Sequence, residues 1–540
     1  MTTESPPSNS QHDVMWSHWP HDLPNADLLK HLVEVFFTFQ PHANKLFHVP
    51  TFMHSLSLSP THPKFPAIPV LHAICAMGSL YTAAVTSPPD PDFNQVAPDE
   101  IFLERYRVKE KRVDSFAEVQ AKLAKKTAEE LHSLGEQLLQ VLQTQIILTW
   151  FYWSHGRWVD IFLSSAHAMR LSVPLGLNMC PPFHSITNST RPASILAPAR
   201  TVIEDEMRRN AFWLAYACER QHGLGNGWAL SLDDQDVSQM LPVRSDQFLH
   251  GTLVPPAERQ WAHSRDVLLV HPPAQIDPFV LFIKGTILIS RVKAFNLRFR
   301  AKHFSGDPSV ANAFDGISPH PSEPIDPRGS MAFVELDEIV VSFRAKFPRN
   351  LKDPINNNVV DSHLYTTCLM PLVATIVLHD PHAEVRQSGC ISALKILAAA
   401  RAILDLIYAV QSTSFDITLL DSFCTFAWFV SGRVLVRFLQ AAIDAHSLEQ
   451  MPILRAEIDY VHDAISKVGR RIPLAHRYAK MLEDLLVKSC GLAPSVPIDM
   501  PFPRPLEPLA IQSMFYESDP NRCVSLHDAL HEPGSFLSLA

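Results

Sequence analysis

E-D-E-M-R-R-N-A-F-W-L-A-Y-A-C-E-R (204–220), a glycine-rich break, then A-L-S-L-D-D-Q-D-V-S-Q-M-L-P (229–242): this stretch decides the fold. Met207, Ala211, Leu214, Ala215 and Cys218 recur at helical spacing and mark one apolar face. Phe212, Trp213 and Tyr216 fill much of the opposite side. A helix that is apolar nearly all round must lie between other helices. Glu204, Asp205 and Glu206 suit the positive end of its dipole. Gly223, Gly225 and Gly227 mark its end, since glycine is a poor residue for a helix interior. Arg208, Arg209, Glu219 and Arg220 are the polar remainder, and an unpaired buried charge is costly. Glu206 or Glu219 is therefore expected to pair with these arginines.

Working outward, the same periodic pattern predicts a succession of helices. One runs from Ala26 to Phe39, after Pro24-Asn25 and before Pro41, with Leu28, Leu29, Leu32, Val35, Phe36 and Phe39 as its stripe. A second, rich in small residues, is expected over 70–85. Residues 101–134 read as charged and amphipathic. Their basic residues interleave with acids, which predicts a solvated face laced with ion pairs. Glu136–Trp153 and Trp158–Leu177 form a helical hairpin through His155-Gly156, with Pro174 ending its second arm early. Residues 244–278 are irregular. Helices follow over 279–300, 361–379 (kinked at Pro371), 390–410, 415–439, 454–468 and 473–486. The fold class expected is all-α, a large irregular multi-helix assembly with Pro-rich loops and loose termini. The 44 Pro against 17 Gly fit many helix starts and stiff connectors.

Composition narrows the function. The chain has 540 residues, 46% hydrophobic and 19% charged, enough for a large core. A net charge of -9 argues against a chain that binds nucleic acid over its whole surface. The best local basic segment is R-V-K-A-F-N-L-R-F-R-A-K, where Arg291, Lys293, Arg298, Arg300 and Lys302 flank Phe295 and Phe299. Its plain reading is an amphipathic helix with the phenylalanines facing the core. The eight cysteines are scattered, the closest pair being Cys368 and Cys390, 22 positions apart. No C-x-x-C exists, so local spacing builds no zinc site. Reduced, buried thiols are expected. The N-terminus lacks the regions of a signal peptide, and the longest apolar runs, such as Ile146 to Trp153, are too short and too broken by Gln, His and Arg for a membrane span.

No P-loop, nucleophile elbow or dinucleotide fingerprint occurs. Cys523, His527 and His531 share a four-residue spacing, but Asp528 stands where a zincin needs Glu, and chance placement among 27 His is the simpler account. His48 has neither an acid nor a nucleophile beside it in sequence, so a hydrogen-bonded structural role is expected.

The order of these features carries a resemblance. R-R-x-x-F-W-x-x-Y-x-x-E-R (Arg208, Arg209, Phe212, Trp213, Tyr216, Glu219, Arg220), then L-x-x-x-D-V-x-x-x-L-P (with Asp236 and Pro242), resembles the middle region of fungal-specific transcription factors. Glu219 stands where that pattern usually has Asp. L-x-H-x-P-T-F at 46–52 is similar to another family segment, with His48, Pro50, Thr51 and Phe52; its Thr is expected to cap the next short helix. Gly156, Trp158, Ala166, Ala168, Arg170 and Leu175–Asn178 match a helix pair of the family. His363, Tyr365, Leu378, His379 and Pro381 match a later helix. The resemblance covers about 28–486.

What the resemblance implies is a regulator of RNA polymerase II transcription, not an enzyme, located in the nucleus. It divides the chain into a disordered arm (1–24), a regulatory domain (25–490, best matched over 28–245) and a Pro-rich tail (491–540). Expected partners are a second copy or a related chain, the transcription machinery and a small-molecule effector, with no membrane. The family touches DNA through a zinc binuclear cluster. Here zinc is expected only with a cysteine cluster encoded upstream of Met1; otherwise the form is cluster-less or a partner supplies DNA contact. DNA-binding residues are not assignable, and no catalytic or metal residue is expected. The alternative is a helical scaffold or cofactor protein with no transcriptional role.

Overall fold

The computed structural model describes residues 19–180, 194–310, 326–387 and 389–492. Expectations for the rest of the arm, for most of the tail with Cys523, His527 and His531, and for parts of two loops lie outside them. The described residues hold seventeen α-helices, short 3₁₀ turns and one two-stranded ribbon, so the fold is all-α.

The first half contains α1 (Ala26–Phe39), α2 (Ala43–Leu46), α3 (Val49–Leu56), α4 (Ile68–Gly78), α5 (Glu104–Lys109), α6 (Phe116–Leu134), α7 (Leu138–Ser154), α8 (Trp158–Ser172), α9 (Val202–Gly223) and α10 (Ser245–His250). α1 starts where expected because the Asn25 side chain accepts from Leu28 N at 2.9 Å. Ahead of it, Trp19 packs on the core and donates from Nε1 to Pro24 O. Three boundaries differ from expectation. The second core helix ends early: α4 tightens into a 3₁₀ turn at Ser79–Tyr81, and Thr82 is extended. The segment 101–134 is two helices, because Ser115 and Glu118 form a capping box that starts α6 afresh. Thr51 does not cap α3: it lies inside the helix, and His48 occupies the cap position. The α7–α8 hairpin turns at Gly156, whose φ of +65° suits glycine. α8 ends at Ser172, ahead of Pro174.

The second half contains α11 (Pro278–Phe304), α12 (Met331–Ala345), α13 (Ser362–His379), α14 (Ile391–Gln411), α15 (Ser422–Asp444), α16 (Gln450–Gly469) and α17 (Pro473–Cys490). α13 runs on through Pro371. α15 begins later than expected because Asp421 caps it, accepting from Phe423 N at 2.7 Å. Ile355–Asn356 and Val359–Val360 pair antiparallel across Asn357 and Asn358, both at positive φ.

α9 is the hub. It packs on α7 and α8 of the first half and on α11 of the second. Phe212, Trp213, Ala211 and Ala215 have no exposed surface, as the apolar circumference of this helix requires. α11 and α13 approach closely at Gly285, where a Cβ would collide with Met370 Sδ. α13 and α15 are long and apolar enough to cross a membrane, yet most of each is buried among neighbouring helices. Several cations of the 101–134 segment are held as expected: Arg107 by Glu104 and Asp114, Arg112 by Glu118, Lys122 by Asp114.

Candidate functional site

The site grows from the two ends of α9. Thr201 caps it, accepting from Glu204 N at 3.1 Å. One turn on, Arg208 pairs with Glu204 and Arg209 with Asp205 at 2.9 Å. Arg209 also pairs with Glu206 inside the core, and its Nε donates to Gln239 Oε1 at 3.0 Å. Arg259, from the irregular stretch after α10, meets the same Glu206 carboxylate from the other side. Burial alone would raise the Glu206 carboxyl; the two guanidinium groups outweigh it and hold the group below its ordinary range.

At the other end, Arg220 has no exposed side-chain surface and spends its nitrogens on Glu219, on Asp234 Oδ1 at 3.0 Å, on Leu232 O at 2.7 Å and on Ser290 Oγ at 3.1 Å. Its guanidinium lies 4.2 Å over the Tyr216 ring. Ser290 Oγ and Tyr216 OH each donate to Asp234 at 2.8 Å. Glu219 Oε1 accepts from Ser231 N at 2.7 Å. Between the two clusters, Trp213 Nε1 donates to Met240 O at 2.8 Å.

The chemistry of this arrangement is strapping. The segment 231–243 is irregular, and side chains of α9 fix its backbone at Ser231, Leu232 and Met240 and one of its acids, Asp234. That explains the spacing of the two motif halves: arginines on one turn, Trp213 in the middle and Glu219-Arg220 at the end meet the loop at successive points. Both glutamates pair with arginines, as the sequence suggested.

The other motif residues fall elsewhere. His48 accepts or donates at Thr51 Oγ1 (2.7 Å) and Leu249 O (3.0 Å), joining α3 to α10. Pro50 is exposed in the first turn of α3, and Phe52 packs edge-on to Phe37. His379 contacts Ser392 Oγ at 3.1 Å and Asp337 Oδ1 at 3.0 Å in the second half, with Pro381 in the 3₁₀ turn that follows. Asp236 is exposed; its carbonyl accepts from Asn178 Nδ2 at 2.9 Å. Asp234, two positions earlier, holds Arg220, and Arg259 completes the Glu206 cluster. Sequence reading missed both.

Pro242 is buried and lines a cavity of about 330 Å³ together with Leu241, Val243, Val254, Arg259 and Val280. The basic segment of α11 is spent inward only at Lys293; Arg300 and Lys302 are exposed. Lys293 donates to Gly223 O and Asn226 O, Arg298 pairs with Asp233, and Phe299 is buried beside Phe295.

Among the described residues, no group of three or more His, Cys, Asp or Glu is arranged to hold a metal ion. The seven described cysteines form no disulfide and are scattered. These residues do not fit a zinc cluster.

Fold and site thus define an all-α domain in which buried ion pairs strap a loop across a central helix. Residues 33–255, from α1 to just past α10, match the model of the fungal specific transcription factor domain. That family is one of transcription regulators, not of enzymes. No curated protein and no solved structure matches the chain.

Proposed function

We propose that this chain is the regulatory body of a fungal regulator of RNA polymerase II transcription, acting in the nucleus. The observation that carries this reading is that the family domain's hub helix, α9, is bonded into the second-half helices through Arg220, Ser290 and Lys293. A body tied together in this way suits transmission of a signal across the chain. In this reading, 25–490 act as one regulatory unit, with 1–24 and 491–540 as arm and tail. DNA contact belongs to a zinc cluster that the described residues do not form. A second copy or a related chain, the transcription machinery and a small-molecule effector are its partners.

The test tethers the full chain to promoter DNA through a heterologous DNA-binding domain in a fungal cell. A changed reporter output and nuclear enrichment of the untethered, fluorescently tagged chain are expected. An unchanged reporter together with a diffuse tag would leave the scaffold alternative standing instead.

A further inference from the structure

α12 and α14 both pack on α13. They are joined at one point: Asp337 of α12 pairs with Lys395 of α14, and His379 of α13 reaches Asp337 Oδ1 at 3.0 Å and Ser392 Oγ at 3.1 Å. Around that point the outer surface is apolar. Val334 and Val341 stand three residues before and four after Asp337, which places all three on one side of α12. Ile391 stands four residues before Lys395 on α14, with Leu394 beside it. Met331 lies in the first turn of α12. All five of these large apolar side chains are exposed, Ile391 by 68%. Single exposed apolar residues are ordinary; five around one ion pair on two neighbouring helices form a patch of the kind that marks a contact surface.

Three observations point to its occupant. The chain leaves the described residues nearby. Cys490, at the end of α17, donates from Sγ to Val436 O at 3.8 Å. The next residue, Arg437, pairs with Asp380 and donates to Ala383 O at 2.9 Å, in the turn that leads from α13 to α14. Arg386, in the same turn, pairs with Asp444 at 2.6 Å. The second observation is in the sequence beyond Leu492, where P-L-A-I-Q-S-M-F-Y (508–516) runs for nine residues without a charge. Pro508 suits a helix start and Pro520 a stop, and between them Ala510, Ile511, Met514 and Phe515 share one face. The stretch from Leu492 to Pro508 extends to about 50 Å, and α12 is about 22 Å long, so the run reaches the patch. The third observation is charge. Glu335 and Glu338 are exposed on α12, and Lys346, Arg349 and Lys352 are exposed at its far end, where Arg344 donates to Lys352 O at 3.2 Å. An uncharged run followed by Glu517 and Asp519 matches that order. A second copy across a twofold axis at α12 would set Glu335 and Glu338 against themselves.

We infer that residues 508–516 of the chain's own C-terminal tail dock on the α12–α14 patch. Met514 and Phe515 lie against Val334, Val341 and Leu394, and Glu517 and Asp519 point towards Arg344 and Lys346. The mode is an amphipathic segment laying its apolar face on an apolar surface. The contact lies in the second half of the chain, outside the residues 33–255 that match the family model, and it does not depend on the regulatory reading.

The experiment uses the full chain and a fluorescein-labelled peptide of residues 505–520, followed by anisotropy. Met514→Asp with Phe515→Asp frees the patch, because charges set against apolar side chains are costly. The peptide is expected to bind this freed chain saturably. It should bind the parent at least about tenfold more weakly, because the parent's own tail competes at an effective concentration of about 1 mM. Val341→Glu and Leu394→Glu, added to the freed chain at exposed positions, should weaken the peptide by about tenfold and leave the thermal transition unchanged. A peptide affinity weaker than about 1 mM for the freed chain overturns the proposal, since a tethered tail would then be mostly undocked. So does equal binding to the parent and the freed chain, or binding indifferent to the two patch substitutions. If sedimentation shows those two substitutions splitting a dimer while peptide binding stays unmoved, a second copy covers the patch and the proposal falls.

Discussion

His42 and Asp421 are 379 positions apart in sequence, and Nε2 of one lies 2.6 Å from Oδ2 of the other. The other His42 nitrogen meets His363 Nε2 at 3.1 Å. His42 is buried and only 10% of the Asp421 side chain is exposed, and Asp421 also caps α15. One carboxylate thus joins the family-matched region to the second-half helices. Asp421→Ala strands the histidine and removes the cap, with an expected loss of about 3 kcal/mol in urea unfolding. Asp421→Asn retains a capping oxygen and should cost less, about 1.5 kcal/mol. An alanine variant within about 0.5 kcal/mol of the parent would show that the contact does not hold the halves together.

Arg220 binds through geometry as well as charge. Its planar fork serves Asp234, Leu232 O and Ser290 at once while lying flat on Tyr216. Lysine keeps the charge and loses the fork. Arg220→Lys is therefore expected to destabilise by about 3 kcal/mol, nearly as much as Arg220→Met. Asp234→Asn should cost less, because an amide oxygen in place of Oδ1 still accepts from Tyr216 and Arg220 and only Ser290, on Oδ2, loses its acceptor. A lysine variant as stable as the parent would mean that charge alone is used at this position.

How far all this was legible in the sequence depends on the range of the forces involved. α1 was readable to the residue because its signals are local: Asn25 at its cap and Pro41 after its end. The break before α6 was equally local. Ser115-Phe116-Ala117-Glu118 is a capping-box pattern, and reading 101–134 only for charge passed over it. The α9 arginines announced their need for acids, and Glu206 and Glu219 answer it. The choice of Asp234 over Asp233 and Asp236 was not legible, since three acids in D-D-Q-D look alike until the loop is laid across Tyr216 and Ser290. Arg259 lies 53 positions from Glu206, and nothing in its neighbourhood marks it. The cavity was out of reach for the same reason: its walls come from turns whose course is set by packing.

Glu118 supplies an acid-sensitive element. Its carboxylate accepts from both terminal nitrogens of Arg112, at 2.9 and 2.6 Å, and from Ser115 N at 2.8 Å. Burial pushes its pKa up, but these hydrogen bonds outweigh burial and bring it from 4.5 down to about 2. A depressed carboxyl stabilises the fold above its ordinary pKa, and that contribution is lost as pH falls from 4.5 towards 2. Glu118→Gln is expected to lose about 2 kcal/mol at neutral pH and to flatten the acid limb of the stability profile. Parallel acid limbs in the two proteins would rule this out.

Lys284 works in the opposite pH range. Its side chain is fully buried on α11, and its Nζ donates to Gln260 Oε1 at 2.7 Å and Val270 O at 2.8 Å, with His271 Nδ1 at 3.1 Å. Burial pushes its pKa from 10.5 down to about 7, with Asp266 pulling weakly the other way. Below pH 7 the amine is charged in both folded and unfolded chains, and the group adds no slope. Between 7 and 10.5 the unfolded chain holds the extra proton, so this group makes stability rise with pH. Buried Cys75 and Tyr81 have raised pKa values and oppose that trend at high pH, so the parent must be compared with Lys284→Met, which keeps them. The parent-minus-variant stability difference is expected to grow by about 2 kcal/mol between pH ~7 and ~9. Urea titrations at steps of about one pH unit measure it. A difference that stays constant across that range would place the Lys284 proton on the folded chain throughout, held there by its acceptors in spite of burial.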